Sequence, residues 1–191
     1  MGDLYIGLVH YPVKNKRGDI VASAVTNLDI HDIARIAKTY NVAGFYIIQP
    51  MPSQKRLVAW IISHWTEGYG GEYNPIRAEA FDLISLVDAI DDAIAAIGEE
   101  AGRPPLVVGT WAGYSGTAID YERMGAIIKS GVEPVLILLG TGFGMADEVE
   151  EVCTYILEPI HGNGGYNHLS VRAAAAIILD RLRGVTQTDR R

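Results

Sequence analysis

Residues 134–145 read PVLILLGTGFGM, and residues 155–179 read YILEPIHGNGGYNHLSVRAAAAIIL. Each opens with a short apolar run rich in branched side chains and breaks into a glycine-rich turn, and the second continues into a helix of small residues. Apolar character on consecutive positions, instead of every second one, marks a strand covered on both faces. The same pattern recurs upstream at YIGLVHYPV (5–13), AGFYIIQ (43–49), ISLV (84–87) and PLVVGTW (105–111). Most of these runs are separated by segments with helical periodicity. That alternation predicts an α/β chain, a three-layer sandwich whose mostly parallel sheet is covered by helices on both sides.

The helices follow from their stop and start residues. The first begins near Asn27 or Asp29, either of which can cap it, and runs to Asn41. Ser53 caps QKRLVAWIISHWTEG, in which Trp60, Ile61 and Ile62 read as core. Pro75 suits the first turn of a helix over IRAEAF, and Asp88 opens DAIDDAIAAIGEEAG, stopped by Gly102 and Pro104. DYERMGAIIKSG and MADEVEEVC supply two more. The last, LSVRAAAAIILDRLRG, is nearly all apolar in its first half, so that half is expected to be covered, with a partner subunit as one candidate. GYGGEYNP (68–75) reads as a loop, and DIVASAV (19–25) as either a short strand or extended coil.

With 191 residues and 49% hydrophobic content, the chain suits one buried core, read as a single domain over 1–184 with a frayed polar tail at 185–191. Its longest uncharged apolar stretch, Val135 to Leu139, falls far short of the roughly 20 residues of a membrane span. The start, MGDLYIGLVHY, carries no basic leader, and the expectation is a soluble, cytoplasmic protein. A single cysteine, Cys153, beside five histidines offers no disulfide framework and no paired thiols for structural zinc, so no metal is expected and Cys153 reads as a small core residue. The net charge of −7 disfavours indiscriminate binding to nucleic acid. Acid concentrates in Asp88–Glu100 and Asp147–Glu151, whereas Lys14, Lys16, Arg17, Lys55 and Arg56 cluster early and allow a local basic face.

In a parallel sheet, ligands collect where the strands end at their carboxyl side, which here means HYPVKNKRG, QPMPSQKR, TWAGYSGTA, LGTGFGM and IHGNGGYNH. Three glycines spaced by two in LGTGFGM let backbone amides approach a ligand. The spacing is not the GxGxxG of a dinucleotide loop, it follows a late strand, and Asp147 and Glu148 behind it would repel a pyrophosphate. A neutral or cationic ligand fits better. In the second loop Asn163, Asn167 and Ser170 can bond an adenine edge or a ribose, or cap the helix behind them, and His161 and His168 flank it. Asp29, His31 and Asp32 at the start of the first helix serve either capping or proton transfer. Tyr69, Tyr73 and Arg77 suit a substrate wall.

A strand ending in LGTGFG, then one ending in EPIHGNGGYNHLSV, then a small-residue helix resembles the SPOUT methyltransferases, and the resemblance covers the whole chain. Within that class NKRG (15–18), TNLDIHDIAR (26–35), GYGGEYNP and YNHLSVR (166–172) are similar to a bacterial RNA-methyltransferase-like group. That group occurs alone or fused behind a tRNA guanine methyltransferase domain. The resemblance implies a carboxyl-terminal trefoil knot whose loops hold S-adenosylmethionine in a bent shape. It assigns the cofactor to Thr110, to Leu139, Gly140, Thr141 and Gly144, and to Ile160, Gly162, Asn167 and Leu169. Asn27 and Arg35 resemble the pair in ribose methyltransferases that contacts RNA and acts in the reaction, although their spacing differs, and Asp29 joins them as a candidate base. Lys16, Arg17, Arg56, Tyr69 and Arg77 become the candidate RNA contacts. The implied activity is methylation of tRNA or rRNA by a homodimer. Two alternatives stand beside it. One is a knotted cofactor- or RNA-binding module that assists a partner methyltransferase. The other is a nicotinamide-dependent oxidoreductase, which requires an early GxGxxG where the chain has HYPVKNKRG.

Overall fold

Leu4–Val9, the first strand (β1), is buried at every one of its positions, because it lies inside a sheet that is covered on both faces. The computed structural model describes residues 2–185, so the tail from 186 onward lies outside the described residues. A two-stranded antiparallel ribbon follows, β2 (Val13–Lys14) and β3 (Ile20–Val21). The remaining strands are β4 (Gly44–Ile48), β5 (Ile84–Val87), β6 (Leu106–Thr110), β7 (Val135–Gly140) and β8 (Tyr155–Leu157). They form one six-stranded sheet in the order β5-β4-β1-β7-β6-β8, and every pair in it is parallel.

Alternation along the strands divides the core. Leu4, Ile6 and Leu8 pack with residues of α1 (Asn27–Thr39), α2 (Pro52–Thr66), α4 (Pro75–Phe81), α6 (Tyr121–Ser130) and α7 (Val171–Arg183). Tyr5 and Val9 point the other way, to Ile90, Ala93 and Ile97 of α5 (Ile90–Ala101) and to Val149 of a short 3-10 helix, Asp147–Val152. This is the three-layer α/β arrangement that the apolar runs predict. The strand order reverses between β1 and β7, where the chain first builds outward through β4 and β5 and then crosses to the other side. Such a reversal opens a crevice beyond the carboxyl ends of the two strands, here at Val9 and Gly140, which are partners in register.

Several local expectations are corrected. Thr26, not Asn27 or Asp29, caps α1: its Oγ1 accepts from the Asp29 amide and donates to Asp29 Oδ2 at 2.6 Å. The helix ends at Thr39, and Asn41 takes a left-handed φ of 51°. Ser53 lies inside the first turn of α2, where Pro52 starts the helix and Met51 holds the cap position without a side-chain bond. Ala89 holds the cap position of α5, with the Asp92 carboxylate accepting its amide at 2.9 Å, while Asp88 pairs with Lys55. GYGGEYNP is not a loop, because Tyr69–Tyr73 forms a turn of helix, α3. Gly71 permits it: a Cβ there would meet the Trp65 carbonyl oxygen at 2.5 Å. MADEVEEVC makes only the 3-10 helix, and DIVASAV pairs only at Ile20–Val21. Trp60 is 71% exposed, since α2 buries Val58 and Ile61 and Trp60 falls on the opposite side. Trp65 turns inward instead and packs against His31 and Phe81.

α7 docks on α1 through charge as well as packing. Arg172 places Nη1 at 2.8 Å from Asp29 Oδ1 and Nε at 3.3 Å from Asp32 Oδ2. The apolar first half of α7 is only partly covered: Ala175 is buried, whereas Ala173, Ala174 and Ala176 are half-buried. A groove of about 570 Å³ runs between the two helices, lined by Asp32, Arg35, Ile36, Tyr40, Ala173 and Ala176 among others. Removing the guanidinium leaves the nearly buried Asp29 carboxylate short of its strongest partner. Arg172→Met is therefore expected to lower unfolding stability by about 2 kcal/mol, measured by chemical denaturation. An unchanged midpoint would show that the pair does not hold the two helices together.

Candidate active site

The loop that leaves β7 is shaped by backbone conformations that favour glycine. Gly142 and Gly144 have φ of 62° and 100°, and a Cβ on Gly140 would stand 2.9 Å from the Met145 nitrogen. The loop holds this shape because the segment after β1 zips along it. The Lys14 amide donates to the Gly144 carbonyl at 2.8 Å, the Phe143 amide to the Lys14 carbonyl at 3.2 Å, and the Ala146 amide to the Pro12 carbonyl at 3.1 Å. Thr141 Oγ1 donates to the Val9 carbonyl at 2.9 Å and so ties the loop to the end of β1.

Two further loops are tied to the first. Thr110 Oγ1 donates to the Leu138 carbonyl at 2.8 Å, and Trp111 Nε1 donates to the Met145 carbonyl at 3.2 Å. Asn167 Nδ2 reaches the Ala112 carbonyl at 2.9 Å and brings the β8–α7 loop against the β6 exit. The strand residues thus gather the implied cofactor positions Thr110, Leu139, Gly140, Thr141, Gly144 and Asn167 at one end of the sheet. Ile160 is half-buried, whereas Gly162 and Leu169 stand exposed in a loop that is open on its outer side. These residues fit S-adenosylmethionine. The glycine cradle would be filled by any side chain at Gly140, and its walls offer carbonyls and hydroxyls. No lysine or arginine stands in residues 139–146 or 160–169 to oppose a sulfonium.

A buried polar cluster sits at the junction of β1, β4 and this loop. His10 is wholly buried, with Nδ1 at 2.8 Å from Ser23 Oγ, and that oxygen lies 2.6 Å from Thr141 Oγ1. Burial pulls the imidazole pKa down to about 4, opposed in part by the charge of Asp29. Gln49, equally buried, donates through Nε2 to the Ser23 carbonyl at 2.9 Å and accepts from the Met51 amide. Sequence reasoning passed over His10 and Ser23. The available signal was a histidine closing an otherwise apolar strand, LYIGLVH.

The other candidates are dispersed. Asn27 is exposed, and the Asp29 carboxylate is bonded by Thr26 and Arg172. Arg35 lines the grooves on both sides of α1 and is not gathered into the glycine loops. The second of these grooves, about 430 Å³ between α1 and α4, is also lined by Lys38, Asn74 and Arg77. The Arg77 guanidinium lies 4.9 Å from the Trp65 ring centre, and burial followed by the Arg77 charge lowers the His31 pKa. Tyr69 and Tyr73 stack at 6.0 Å and are 70% and 77% exposed. Of the early cations, Lys14 pairs with Asp147 at 2.5 Å and Lys55 with Asp88, while Lys16, Arg17 and Arg56 are exposed. Cys153 is half-buried, its thiol donating to the Val149 carbonyl, and burial pushes its pKa up to about 11, so it offers no thiolate.

Comparison with known proteins shows the family. A protein from Nitratidesulfovibrio vulgaris described as tRNA (guanine-N(1)-)-methyltransferase is 48% identical over 184 residues, which are 95% of this chain and 42% of that one. The chain therefore spans less than half the length of this relative. A protein from Aquifex aeolicus is 41% identical over 180 residues, 94% of this chain and 88% of its own length. The segment thus occurs both as part of a longer methyltransferase and as most of a chain. The crystal structure of a TrmH/SpoU tRNA modifying enzyme from A. aeolicus superposes with a TM-score of 0.57 at 15% identity, covering 96% of this chain and 75% of that one, which shows the shared SPOUT fold. The model of a family described as SAM-dependent RNA methyltransferase matches residues 3–184, and the chain belongs to that family.

Proposed function

We propose that the chain transfers the methyl group of S-adenosylmethionine to a nucleotide of tRNA or rRNA and works as a homodimer. The observation that carries this reading is the glycine cradle at the end of β7, bonded to the exits of both β1 and β6. Bound there, S-adenosylmethionine supplies an electrophilic methyl group. The chain's own part is to fix the donor through backbone atoms and to hold the receiving nucleotide in line.

The crossing of the last loops supports a knot. After β6 the chain passes the end of β8, where Ile119 pairs with Leu157 on the outer edge, yet α7 returns to pack on α1 and α6. In our reading the β8–α7 segment threads beneath residues 111–119. The partly uncovered groove between α1 and α7 supports the homodimer, since a second copy would complete the burial of the apolar half of α7. Arg35 lies in that groove, and in the dimer we assign it to the RNA and the reaction, with Asn27 beside the helix start and Asp29 holding α1 against α7. Lys16, Arg17, Arg56, Tyr69 and Arg77, carried on separate elements of an acidic chain, provide the surrounding RNA contacts in this reading. That the longer relative is described as a tRNA methyltransferase supports tRNA as the substrate.

Calorimetric titration is expected to show binding of S-adenosylmethionine and none of NADH; the reverse selectivity would refute the reading. Gly144→Ala places a side chain at a φ of 100° and is expected to weaken S-adenosylmethionine about tenfold, corresponding to roughly 1–2 kcal/mol of backbone strain. Arg35→Ala should lower methylation of bulk tRNA or rRNA on the order of 10²-fold while leaving cofactor affinity intact. Methylation at the native rate would remove Arg35 from the mechanism.

A further inference from the structure

Three buried side-chain atoms find no hydrogen-bond partner among the described residues: His10 Nε2, Tyr121 Oη and Arg183 Nε. Two of them have other engagements. The Arg181 guanidinium covers the Tyr121 ring at 4.8 Å, and Arg183 donates through both terminal nitrogens to the carbonyls of Asn41 and Gly2. His10 differs, because it directly follows β1 at the strand-order reversal and its ring is linked on one side, through the Ser23 hydroxyl, to Thr141 of the glycine loop.

The direction of that bonding settles which nitrogen carries the proton. The Val9 carbonyl can only accept, so Thr141 Oγ1 donates to it. That uses the single Thr141 proton, and the hydroxyl of Ser23 must therefore donate to Thr141. Ser23 has then spent its own proton, and His10 Nδ1 must donate to Ser23. A neutral imidazole with its proton on Nδ1 presents a bare lone pair at Nε2. Burial keeps the ring neutral near pH 7, so this atom is an acceptor there. The His10 amide continues the β1–β4 ladder by donating to the Ile48 carbonyl at 3.0 Å. Alternation therefore turns its side chain to the face of Leu4, Ile6 and Leu8, which is the face of α1 and α7. A buried acceptor left empty is costly, so each such atom calls for a partner or a role that accounts for it.

We propose that His10 Nε2 reads the bound ligand: it accepts a hydrogen bond from an N–H or O–H group of the methyl donor or of the nucleotide at the β1–β7 crevice. The inference rests on the methyl-transfer reading above. Nε2 is closed to solvent, so its partner arrives with a local shift of neighbouring side chains, and the Ser23–Thr141 chain couples that contact to the glycine loop. His10 is thereby a binding residue, reached only when a ligand is seated.

The test is a ¹⁵N NMR titration of the histidine rings in the full chain, first with S-adenosylmethionine and then with S-adenosylhomocysteine plus bulk tRNA. His10 Nε2 should resonate as an unprotonated nitrogen in the free protein and move upfield as it gains a donor. Movement with S-adenosylmethionine alone assigns the donor to the cofactor, and movement only with RNA present assigns it to the nucleotide. His10→Asn keeps an N–H near the Nδ1 position while removing the distal acceptor, and should weaken that same ligand by about fivefold without altering the other. If the cofactor and RNA bind but the resonance stays fixed, the proposal is overturned and a permanent buried water is the better account. If the native chain binds no S-adenosylmethionine, the methyl-transfer reading fails first and takes this one with it. The titration uses the native chain, so it decides even if the variant does not fold.

Discussion

Everything in this molecule hangs on the double pairing of β1. Its backbone is hydrogen-bonded to β4 along one edge and to β7 along the other, and its side chains alternate into two separate apolar layers. A strand in that position has no solvent-facing side, which is why Leu4–Val9 can be apolar at consecutive positions. It also places the end of the strand against the end of β7, so Val9 and Gly140 emerge together. The carbonyl of Val9 then receives Thr141, and the residues beyond it run back along the glycine loop. The glycine loop and the central strand are therefore one mechanical unit.

Polar groups in this unit are few and nearly all spoken for. His10, Asp29 and Gln49 are the buried polar or charged side chains among the described residues. Gln49 donates to the Ser23 carbonyl and accepts from the Met51 amide, and Asp29 is held from both sides by Thr26 and Arg172. Asp29 thus serves as the clamp between the first and last helices, which gives a carboxylate at a helix start a role beyond capping. Because α7 follows the second glycine loop directly, a clamp on its first turn also limits how far that loop can move.

Charge is distributed in a way the total conceals. The chain carries a net −7, yet Arg35, Lys38 and Arg77 line one groove beside α1, with the stacked pair Tyr69 and Tyr73 carried on the adjoining α3. The acidic runs face elsewhere, on α5 and on the 3-10 helix behind the glycine loop, where Asp147 takes up Lys14. An acidic protein of this kind can engage RNA through a restricted face while repelling it over the rest of its surface.

The sequence by itself determined the class of fold and the position of the glycine-rich turns, because both depend on local pattern. Consecutive apolar residues are legible as buried strands, and three glycines at a strand end are legible as a backbone cradle, without knowledge of neighbours. The exposure of Trp60 was not legible. It depends on which side of α2 meets the sheet, and Trp60 is apolar enough to have suited either side. Only the tertiary structure could join His10, Ser23 and Thr141, since 118 positions separate Ser23 from Thr141 and nothing local marks them as partners. The same holds for Arg172 and Asp29, 143 positions apart. Contacts of this kind are set by strand order, and strand order is decided by how whole layers pack.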